Sequence, residues 1–334
     1  MTTSQVTSGL TSAKYEYSHT IGMDDFAGRA FRCIVDLAPG PNGMLYVLQR
    51  GTGVHRNVSI KKCSIAEAWH GEFGEYGSEP GQMVWPAGIA IDAQEQLYVS
   101  DEWNQRISVF DVEGHLLREW GEEGTGAGQF NRPSGLAFDA EENLLVADAR
   151  NHRIQVFSKE GKFLSAWGSL GSGPGQLNMP WGVALNPAGE VYVTDWRNDR
   201  VQKFSEKGEF LLEWGGSGSR EGEFNRPAGI AVDSDGDVYV VDWHNNRVQV
   251  FSGDGQYLTQ LIGDATMSTW GAQLMAANPI MQEQRRVASD PSLETRFYKP
   301  RGIKVDDQNR ILITDSGKGR IQIYQKLSSG GSGQ

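Results

Sequence analysis

A unit of 47 residues recurs along most of this chain, and the repeat constrains the fold more than any other feature. The unit is clearest between Arg132 and Gly168, where four short apolar runs alternate with polar turns. Such self-similarity over several copies predicts a repeat architecture in which each unit packs only against its neighbours. Five copies are headed by prolines, at Pro86, Pro133, Pro180, Pro227 and, after a 26-residue insertion, Pro300.

Each of the five copies carries an aspartate and an arginine at constant spacing. The aspartates are Asp101, Asp148, Asp195, Asp242 and Asp315, each followed five positions later by Arg106, Arg153, Arg200, Arg247 or Arg320. Because the pair recurs in every copy, we interpret it as a structural ion pair rather than a catalytic one. A sixth, degenerate copy places Ile34 in the proline position, and Gln49 and Val54 in the Asp and Arg positions.

Four strands per copy and a period in the forties indicate propeller blades. The last copy ends after its third strand, and Tyr15 to Gly22 matches the missing fourth strand, so the N-terminal strand is predicted to close the ring. We therefore expect an all-β, six-bladed propeller over residues 14–327, with residues 1–13 disordered and residues 328–334 forming a tail or linker. Strand-end tryptophans are predicted to pack the blades: Trp69, Trp120, Trp167 and Trp214.

The insertion, at about residues 263–297, separates blades 5 and 6 and has helical spacing at Met267, Trp270, Leu274 and Met275. Pro279 interrupts this run, and a second short helix is predicted from Ile280 to Val287. A long ordered excursion is often a lid over a binding site, but it can equally be a helical patch packed on the rim.

The copies resemble the NHL repeat. The resemblance rests on Gly128-Gln129-Phe130, the run Pro133 to Ala137, Asp148, and the run Asn151 to Phe157. It implies a six-bladed propeller of NHL repeats. It does not settle the function, because NHL propellers serve as RNA binders, protein-binding modules and lyases, and a fold by itself does not determine a function.

Composition narrows the function classes. The formal net charge of −11 and the sequence pI near 5.1 argue against a general nucleic-acid-binding surface, which requires a basic face. Two cysteines, Cys33 and Cys63, are too few for a disulfide framework. The N-terminus lacks the features of a signal peptide, and no apolar run is long enough to span a membrane. The expectation is a cytoplasmic protein without membrane partners.

Variable positions cluster on one face of the predicted ring. The loop before the first strand of each blade and the loop between its second and third strands lie on this side, which we call the top face. Exposed aromatic and cationic residues there are typical of a binding site for a ligand with an apolar body and an anionic group. The candidate ligand-binding residues are Trp85, Trp103, Arg132, Arg150, Trp181, Trp196, Arg197, Arg226, Trp243, Lys299 and Arg301. Alternatively, some of them merely cover loops.

Three further residues are candidates for chemistry. His244 occupies a variable top-face position and is the best acid–base candidate, whereas Cys33 at the channel mouth is a candidate nucleophile, although a lone cysteine is usually inert. The resemblance extends to peptide-amidating lyases, which hold zinc through histidines directly after the proline; this chain has none there. The family also places an aspartate near a channel calcium, and only Asp36 matches it. Asp36 is thus a candidate ligand for a divalent cation such as calcium, or a satisfied buried carboxylate.

The leading hypothesis is a top-face pocket for a small anionic organic ligand, with lyase- or hydrolase-type chemistry as an open question. The alternative is a protein–protein interaction platform, since aromatic and arginine side chains dominate interface hot spots. An RNA-binding propeller ranks third because of the acidic net charge. A closed lid would distinguish the pocket from the platform.

Overall fold

The structure, a computed structural model, describes residues 14–22, 30–51, 57–286, 290 and 292–327. It contains six four-stranded antiparallel sheets arranged as the blades of a propeller, which confirms the predicted fold class. The N-terminal strand Tyr15–Ile21 pairs antiparallel with the C-terminal strand Arg320–Lys326 and completes blade 6. The predicted disordered segment (residues 1–13) and tail (328–334) lie outside the described residues.

The strands of each blade follow the chain from the central channel to the rim. Blade 1 contains Ile34–Pro39, Met44–Gln49, Ser59–Ser64 and Trp69–Phe73; blade 2 contains Pro86–Ile91, Leu97–Asp101, Arg106–Phe110 and Leu116–Trp120. Blade 3 contains Pro133–Phe138, Leu144–Asp148, Arg153–Phe157 and Phe163–Trp167; blade 4 contains Pro180–Leu185, Val191–Asp195, Arg200–Phe204 and Phe210–Gly215. Blade 5 contains Pro227–Val232, Val238–Asp242, Arg247–Phe251 and Tyr257–Leu261; blade 6 contains Ile303–Val305, Arg310–Asp315, Arg320–Lys326 and Tyr15–Ile21. A two-residue parallel pair, Glu75–Tyr76 with Gln82–Met83, links blades 1 and 2.

Glycines on the innermost strands allow the blades to pack backbone against backbone around the channel. A Cβ atom on any of these glycines would lie 2.4–2.5 Å from a carbonyl oxygen of the next blade, which is closer than real Cβ contacts. The four glycines and the carbonyls they approach are Gly88 with Ser134, Gly135 with Trp181, Gly182 with Ala228, and Gly229 with Arg301. Hydroxyl groups add bonds across the same interfaces: Ser100 Oγ donates to the Ser134 carbonyl at 2.5 Å and Thr194 Oγ1 to the Ala228 carbonyl at 2.6 Å.

The repeated aspartate and arginine form the predicted ion pair in four blades. Asp148 Oδ2 lies 2.9 Å from Arg153 Nε, and the same pair occurs at Asp195–Arg200, Asp242–Arg247 and Asp315–Arg320. Blade 2 differs, because Arg106 pairs with Glu119 at 3.2 Å while Asp101 accepts hydrogen bonds from backbone amides. These buried carboxylates therefore tie the top loops to the strands.

Blade 1 departs from the predicted alignment because its loop between the second and third strands is longer. Ser59, not Val54, lies opposite Gln49, in the place that arginine holds opposite aspartate in the other blades; Val54 itself lies outside the described residues. The longer loop also shifts the tryptophan. Trp69 begins the fourth strand of blade 1 and Phe73 ends it, so the strand-end assignment of Trp69 was wrong.

The described residues of the insertion form three helices: α1 (Thr269–Ala277), α2 (Pro279–Arg286) and α3 (Ser292–Thr295). α2 ends one residue before the predicted Val287, which lies outside the described residues. Ser268 caps α1 by accepting a hydrogen bond from the Gly271 amide at 3.0 Å, and its hydroxyl donates to the Gly22 carbonyl at 2.7 Å. No helix in the described part of the chain is long and apolar enough to cross a bilayer.

Trp270 of α1 packs at the junction of blades 6 and 1. It is 4% exposed, and its ring lies edge-on to Phe31 and Trp69, with centroids 5.7 and 6.2 Å away. Its Nε1 donates to the Glu67 carbonyl at 2.8 Å. α1 is thus anchored at the rim of the propeller, which favours the rim-patch interpretation over the lid.

Trp270 takes the place of a strand-end tryptophan that blade 6 lacks. Trp120, Trp167 and Trp214 end the fourth strands of blades 2, 3 and 4, and each packs on a phenylalanine of the next blade. The fourth strand of blade 6 ends in Ile21. The insertion therefore supplies the aromatic ring for the seam at which the two ends of the propeller meet.

We expect Trp270→Ala to destabilise the protein by about 3–5 kcal/mol, because it removes a buried indole from the seam. Trp270→Phe, which keeps a ring but loses the bond to the Glu67 carbonyl, should cost less. Urea denaturation measures both free energies of unfolding. Trp103→Ala is the control, since that side chain is 57% exposed; an equal loss in Trp103→Ala and Trp270→Ala would contradict a role of the insertion in the seam.

Candidate functional site

Three cations at the mouth are positioned by bonds between neighbouring blades. Arg132, Arg226 and Lys299 directly precede a proline and have left-handed backbones, with φ of 57°, 60° and 51°. Their amides donate to a side chain on the top loop of the preceding blade, at 2.6–2.7 Å; the acceptors are Gln105, Asp199 and Asn246. These hydrogen bonds between blades thus fix the backbone positions from which the three variable side chains extend.

The two variable positions after each blade aspartate have different surroundings. The first faces the channel mouth and is buried or half-buried, as in Glu102, Trp196 and Trp243. The second faces outward and is exposed, as in Trp103, Arg150, Arg197 and His244. The inner positions therefore form the floor of the top face and the outer positions its rim.

Aromatic and arginine side chains from blades 4, 5 and 6 form one continuous cluster, which we call the blade 4–6 cluster. The Trp196 ring lies 6.2 Å from Trp181 and 6.4 Å from Trp243, with interplanar angles of 33° and 32°. The Arg226 guanidinium lies 4.6 Å from the Trp196 centroid. The Arg301 guanidinium lies 5.8 Å from the centroid of Trp181 and 5.6 Å from that of Trp243. These distances are typical of cation–π contacts.

A smaller group, the blade 1–3 cluster, lies across the mouth. Trp85 and Trp103 pack edge-on with centroids 5.1 Å apart, and the guanidinium groups of Arg50 and Arg132 lie 5.1 and 5.7 Å from the Trp85 ring. Arg50 Nη1 also forms an ion pair with Glu102 Oε1 at 2.7 Å, and both side chains are largely buried. Glu102 is therefore already neutralised by Arg50.

The cationic candidates of the top face have no acidic partner among the described residues. None of the six forms a salt bridge there: Arg132, Arg150, Arg197, Arg226, Lys299 and Arg301. This local excess of positive charge contrasts with the net charge of −11 for the whole chain. Burial, followed by repulsion from Arg50, lowers the pKa of Arg301 to about 10. The face is thus electrostatically suited to an anion.

Asp36 lies deeper, in the central channel, on the first strand of blade 1. Its Oδ2 accepts a hydrogen bond from the Ile89 amide at 3.1 Å and lies 3.3 Å from Lys304 Nζ of blade 6. Burial raises the pKa of Asp36, and the Lys304 charge opposes this shift. The cavity beside the pair is about 30 Å³, which holds a few water molecules but no organic ligand.

The donor set around Asp36 does not match a calcium site in the described part of the chain. Calcium takes six to eight oxygen ligands, whereas no group of three or more His, Cys, Asp or Glu residues capable of holding a metal occurs among the described residues. The ammonium of Lys304 already lies beside the carboxylate. The position of Asp36 therefore fits the alternative of a satisfied buried carboxylate better.

The remaining chemical candidates lie apart from one another. His244 is exposed on the rim, stacked on Trp243 with centroids 4.2 Å apart, and its imidazole has no hydrogen-bond partner among the described residues. Cys33 is half-buried at the mouth, with a left-handed backbone of φ 50°, and contributes to the electrostatic environment of Arg301. Cys33 thus lies close enough to Arg301 to act on its charge.

Two residues of the site were missed by sequence reasoning although a signal was present. Arg50 directly follows Gln49, as Glu102 follows Asp101, so the repeat would have placed it on the inner ring of the mouth. Lys304 stands where Ala90, Ala137, Ala184 and Ala231 stand in the other blades. The other blades have alanine at this position of the repeat, so a lysine here indicated a partner of opposite charge. That partner is Asp36.

We expect Lys304→Met to destabilise the protein by about 1–3 kcal/mol near neutral pH, because it leaves the Asp36 carboxylate buried without its cation. The pKa of Asp36 in the folded state, already raised, should rise further. Protonation of Asp36 at lower pH should therefore stabilise the folded state of this variant. The loss should therefore shrink as the pH falls from about 7 to about 4. Urea denaturation across this range tests it. Lys159→Met, which removes a half-exposed pair with Glu142, should cost much less than Lys304→Met. A loss independent of pH in Lys304→Met would contradict the assignment.

Comparison with known proteins agrees with the geometry. The model of the NHL repeat matches residues 83–110, 130–157, 177–204, 224–251 and 297–324. Protein brain tumor of Drosophila melanogaster and B-box type zinc finger protein ncl-1 of Caenorhabditis elegans are each 46% identical over 46 residues, 14% of this chain. The match spans only 4% and 5% of those proteins' own lengths.

Solved structures share the fold at low sequence identity. A streptogramin B lyase has a TM-score of 0.57 at 11% identity, covering 94% of this chain and 98% of the lyase. A catalytically inactive virginiamycin B lyase from Staphylococcus aureus, solved with quinupristin, has a TM-score of 0.55 at 14% identity, covering 88% and 80%. A structural genomics protein of unknown function from Bacteroides thetaiotaomicron has a TM-score of 0.61 at 20% identity, covering 93% and 75%. The chain is therefore a six-bladed β-propeller of the NHL-repeat family.

Proposed function

We propose that the top face is a binding surface for a ligand that combines a flat apolar group with a negative charge. The observation that carries the proposal is the blade 4–6 cluster, in which three half-buried tryptophans alternate with arginines that have no acidic partner among the described residues. The indole rings offer stacking surfaces, and the guanidinium groups offer planar donors to a carboxylate or phosphate.

Binding is better supported than catalysis. A general acid–base mechanism needs a titrating group within hydrogen-bond reach of its partner, but His244 lies on the exposed rim and Cys33 is not beside it. The similar lyase structures are 11–14% identical and support the fold only. Lyase- or hydrolase-type chemistry is therefore a separate hypothesis, which no acid–base pair among the described mouth residues supports.

The alternative of a protein-interaction platform is favoured by the shape of the surface. Trp103 is 57% exposed, the outer positions Arg150 and Arg197 are exposed, and α1 is anchored at the rim by Trp270. Aromatic and arginine side chains on an open face are typical of interface hot spots. The ligand that the cluster recognises can therefore belong to a macromolecule.

The proposal predicts that naphthalene-2-carboxylate binds the protein and that naphthalene-2-carboxamide binds more weakly. Ligand-observed NMR titration, which detects millimolar affinities, measures both. In the double variant Arg132→Ala/Arg226→Ala, the affinity for the carboxylate should fall about thirtyfold, since two charge-assisted contacts of about 1 kcal/mol each are lost.

The matched control is Lys162→Ala/Lys207→Ala, which removes two exposed charges from turns on the opposite side of the blades. This control should bind the carboxylate as the wild type does. An unchanged affinity in the Arg132→Ala/Arg226→Ala variant, or equal losses in both double variants, would refute a specific top-face site.

A further inference from the structure

The blade 4–6 cluster contains a guanidinium, that of Arg301, which forms no direct ion pair with an acidic side chain of the described residues. Arg301 follows Pro300 on blade 6, and Trp181 follows Pro180 on blade 4, so the two side chains enter the mouth from equivalent positions two blades apart. Arg301 contacts the rings of Trp181 and Trp243, but its side chain has neither a hydrogen bond nor an ion pair among the described residues. Its five N–H donors are thus available to a ligand.

The surroundings of Arg301 disfavour its positive charge. The nearest acidic side chain of the mouth, Glu102, is held by Arg50 at 2.7 Å. Burial and the charge of Arg50 disfavour the protonated guanidinium more than Glu102 and Cys33 favour it, and its pKa is lowered to about 10. A partly desolvated cation without a counter-ion is unfavourable, and a carboxylate that binds it in a bidentate manner removes that cost.

The chemistry of the surrounding surface indicates the carrier of the carboxylate. The cavity below the mouth is about 30 Å³, so the bulk of the ligand stays above the tryptophans. Exposed cations extend outward from Arg301 over several blades, at Arg150, Arg197 and Lys299. A single small molecule would engage only part of this surface, whereas an extended acidic chain would cover it. The net charge of −11 opposes the approach of any polyanion, and it opposes a long nucleic acid, with a charge on every nucleotide, more than a short segment with a few carboxylates.

We propose that Arg301 receives a carboxylate side chain from an acidic, aromatic-bearing segment of a partner protein, with Trp181 and Trp243 packing on the neighbouring aromatic residue. The inference rests on the proposed binding function and specifies its ligand. Arg226 on the neighbouring blade and Arg132 across the mouth then engage further carboxylates, while the aromatic rings of the segment stack in the blade 4–6 cluster. Recognition would depend on alternating acidic and aromatic residues in the segment, which match the alternating arginines and tryptophans of the cluster.

Two labelled 12-residue peptides test the proposal, one of alternating Glu and Tyr and one of alternating Gln and Tyr, by fluorescence anisotropy. The Glu peptide should bind the wild-type protein at least tenfold more tightly than the Gln peptide. Arg301→Gln should lower the affinity for the Glu peptide about tenfold and leave that for the Gln peptide unchanged. Arg301→Lys, which keeps the charge but not the bidentate geometry, should fall between the two.

Thermal unfolding separates this role from a structural one. Because Arg301 has no counter-ion in the free protein, Arg301→Gln should be at least as stable as the wild type while binding the Glu peptide more weakly. A lower stability together with equal losses for both peptides would overturn the proposal in favour of a structural role. Lys162→Ala/Lys207→Ala again serves as the control, because it removes two positive charges whereas Arg301→Gln removes one.

The other outcomes separate the ligand class from the proposed function. The proposal of an acidic segment would be overturned if the wild type bound both peptides with equal affinity. It would also be overturned if the protein bound naphthalene-2-carboxylate and neither peptide. Either result would leave the proposed function intact. Tighter binding of a 12-nucleotide single-stranded RNA than of the Glu peptide would overturn it in favour of a nucleic acid. If naphthalene-2-carboxylate also fails to bind, the proposed function fails with it.

Discussion

The structure depends on the close approach of one blade's backbone to the next around the central channel. Glycine at the third position of the inner strands permits this approach, because a Cβ atom there would lie about 2.5 Å from a carbonyl oxygen of the adjacent blade. Ser100 and Thr194 then bond directly to those carbonyls. The diameter of the channel, and hence the spacing of all mouth residues, follows from this contact.

A ring held in this way leaves its top loops free to vary. The buried aspartates bind the loop amides and the strand arginines, so each loop keeps its path whatever residues follow the aspartate. In blades 4 and 5 those residues are Trp196 and Trp243, which come within 6.4 Å of each other although 47 positions separate them. The regular scaffold thereby converts a sequence period into a spatial row of aromatic rings.

The sequence was sufficient where the repeat is regular and insufficient where it is broken. The five proline-headed copies predicted the blades, and the predicted aspartate–arginine pair forms in four of the five. The longer loop of blade 1 moved Trp69 by several positions, because the alignment carried no information about where the extra residues lie. The helical spacing placed Trp270 in the insertion, but only its tertiary contacts with Phe31 and Trp69 assign it to the seam. Likewise, the repeat could place Arg301 at the mouth but could not show that Glu102 is engaged by Arg50.

The seam has a consequence for the order in which the ring assembles. Pairing of Tyr15 with Lys326 requires both ends of the chain to meet, and contacts of such large sequence separation form late because the loop that they close is long. Trp270 and Glu67 are 203 residues apart and can meet before the last strand exists. During synthesis from the N-terminus, docking of α1 on blade 1 would curve the five finished blades toward closure. Docking of α1 would thereby bring the two terminal strands closer together before they pair.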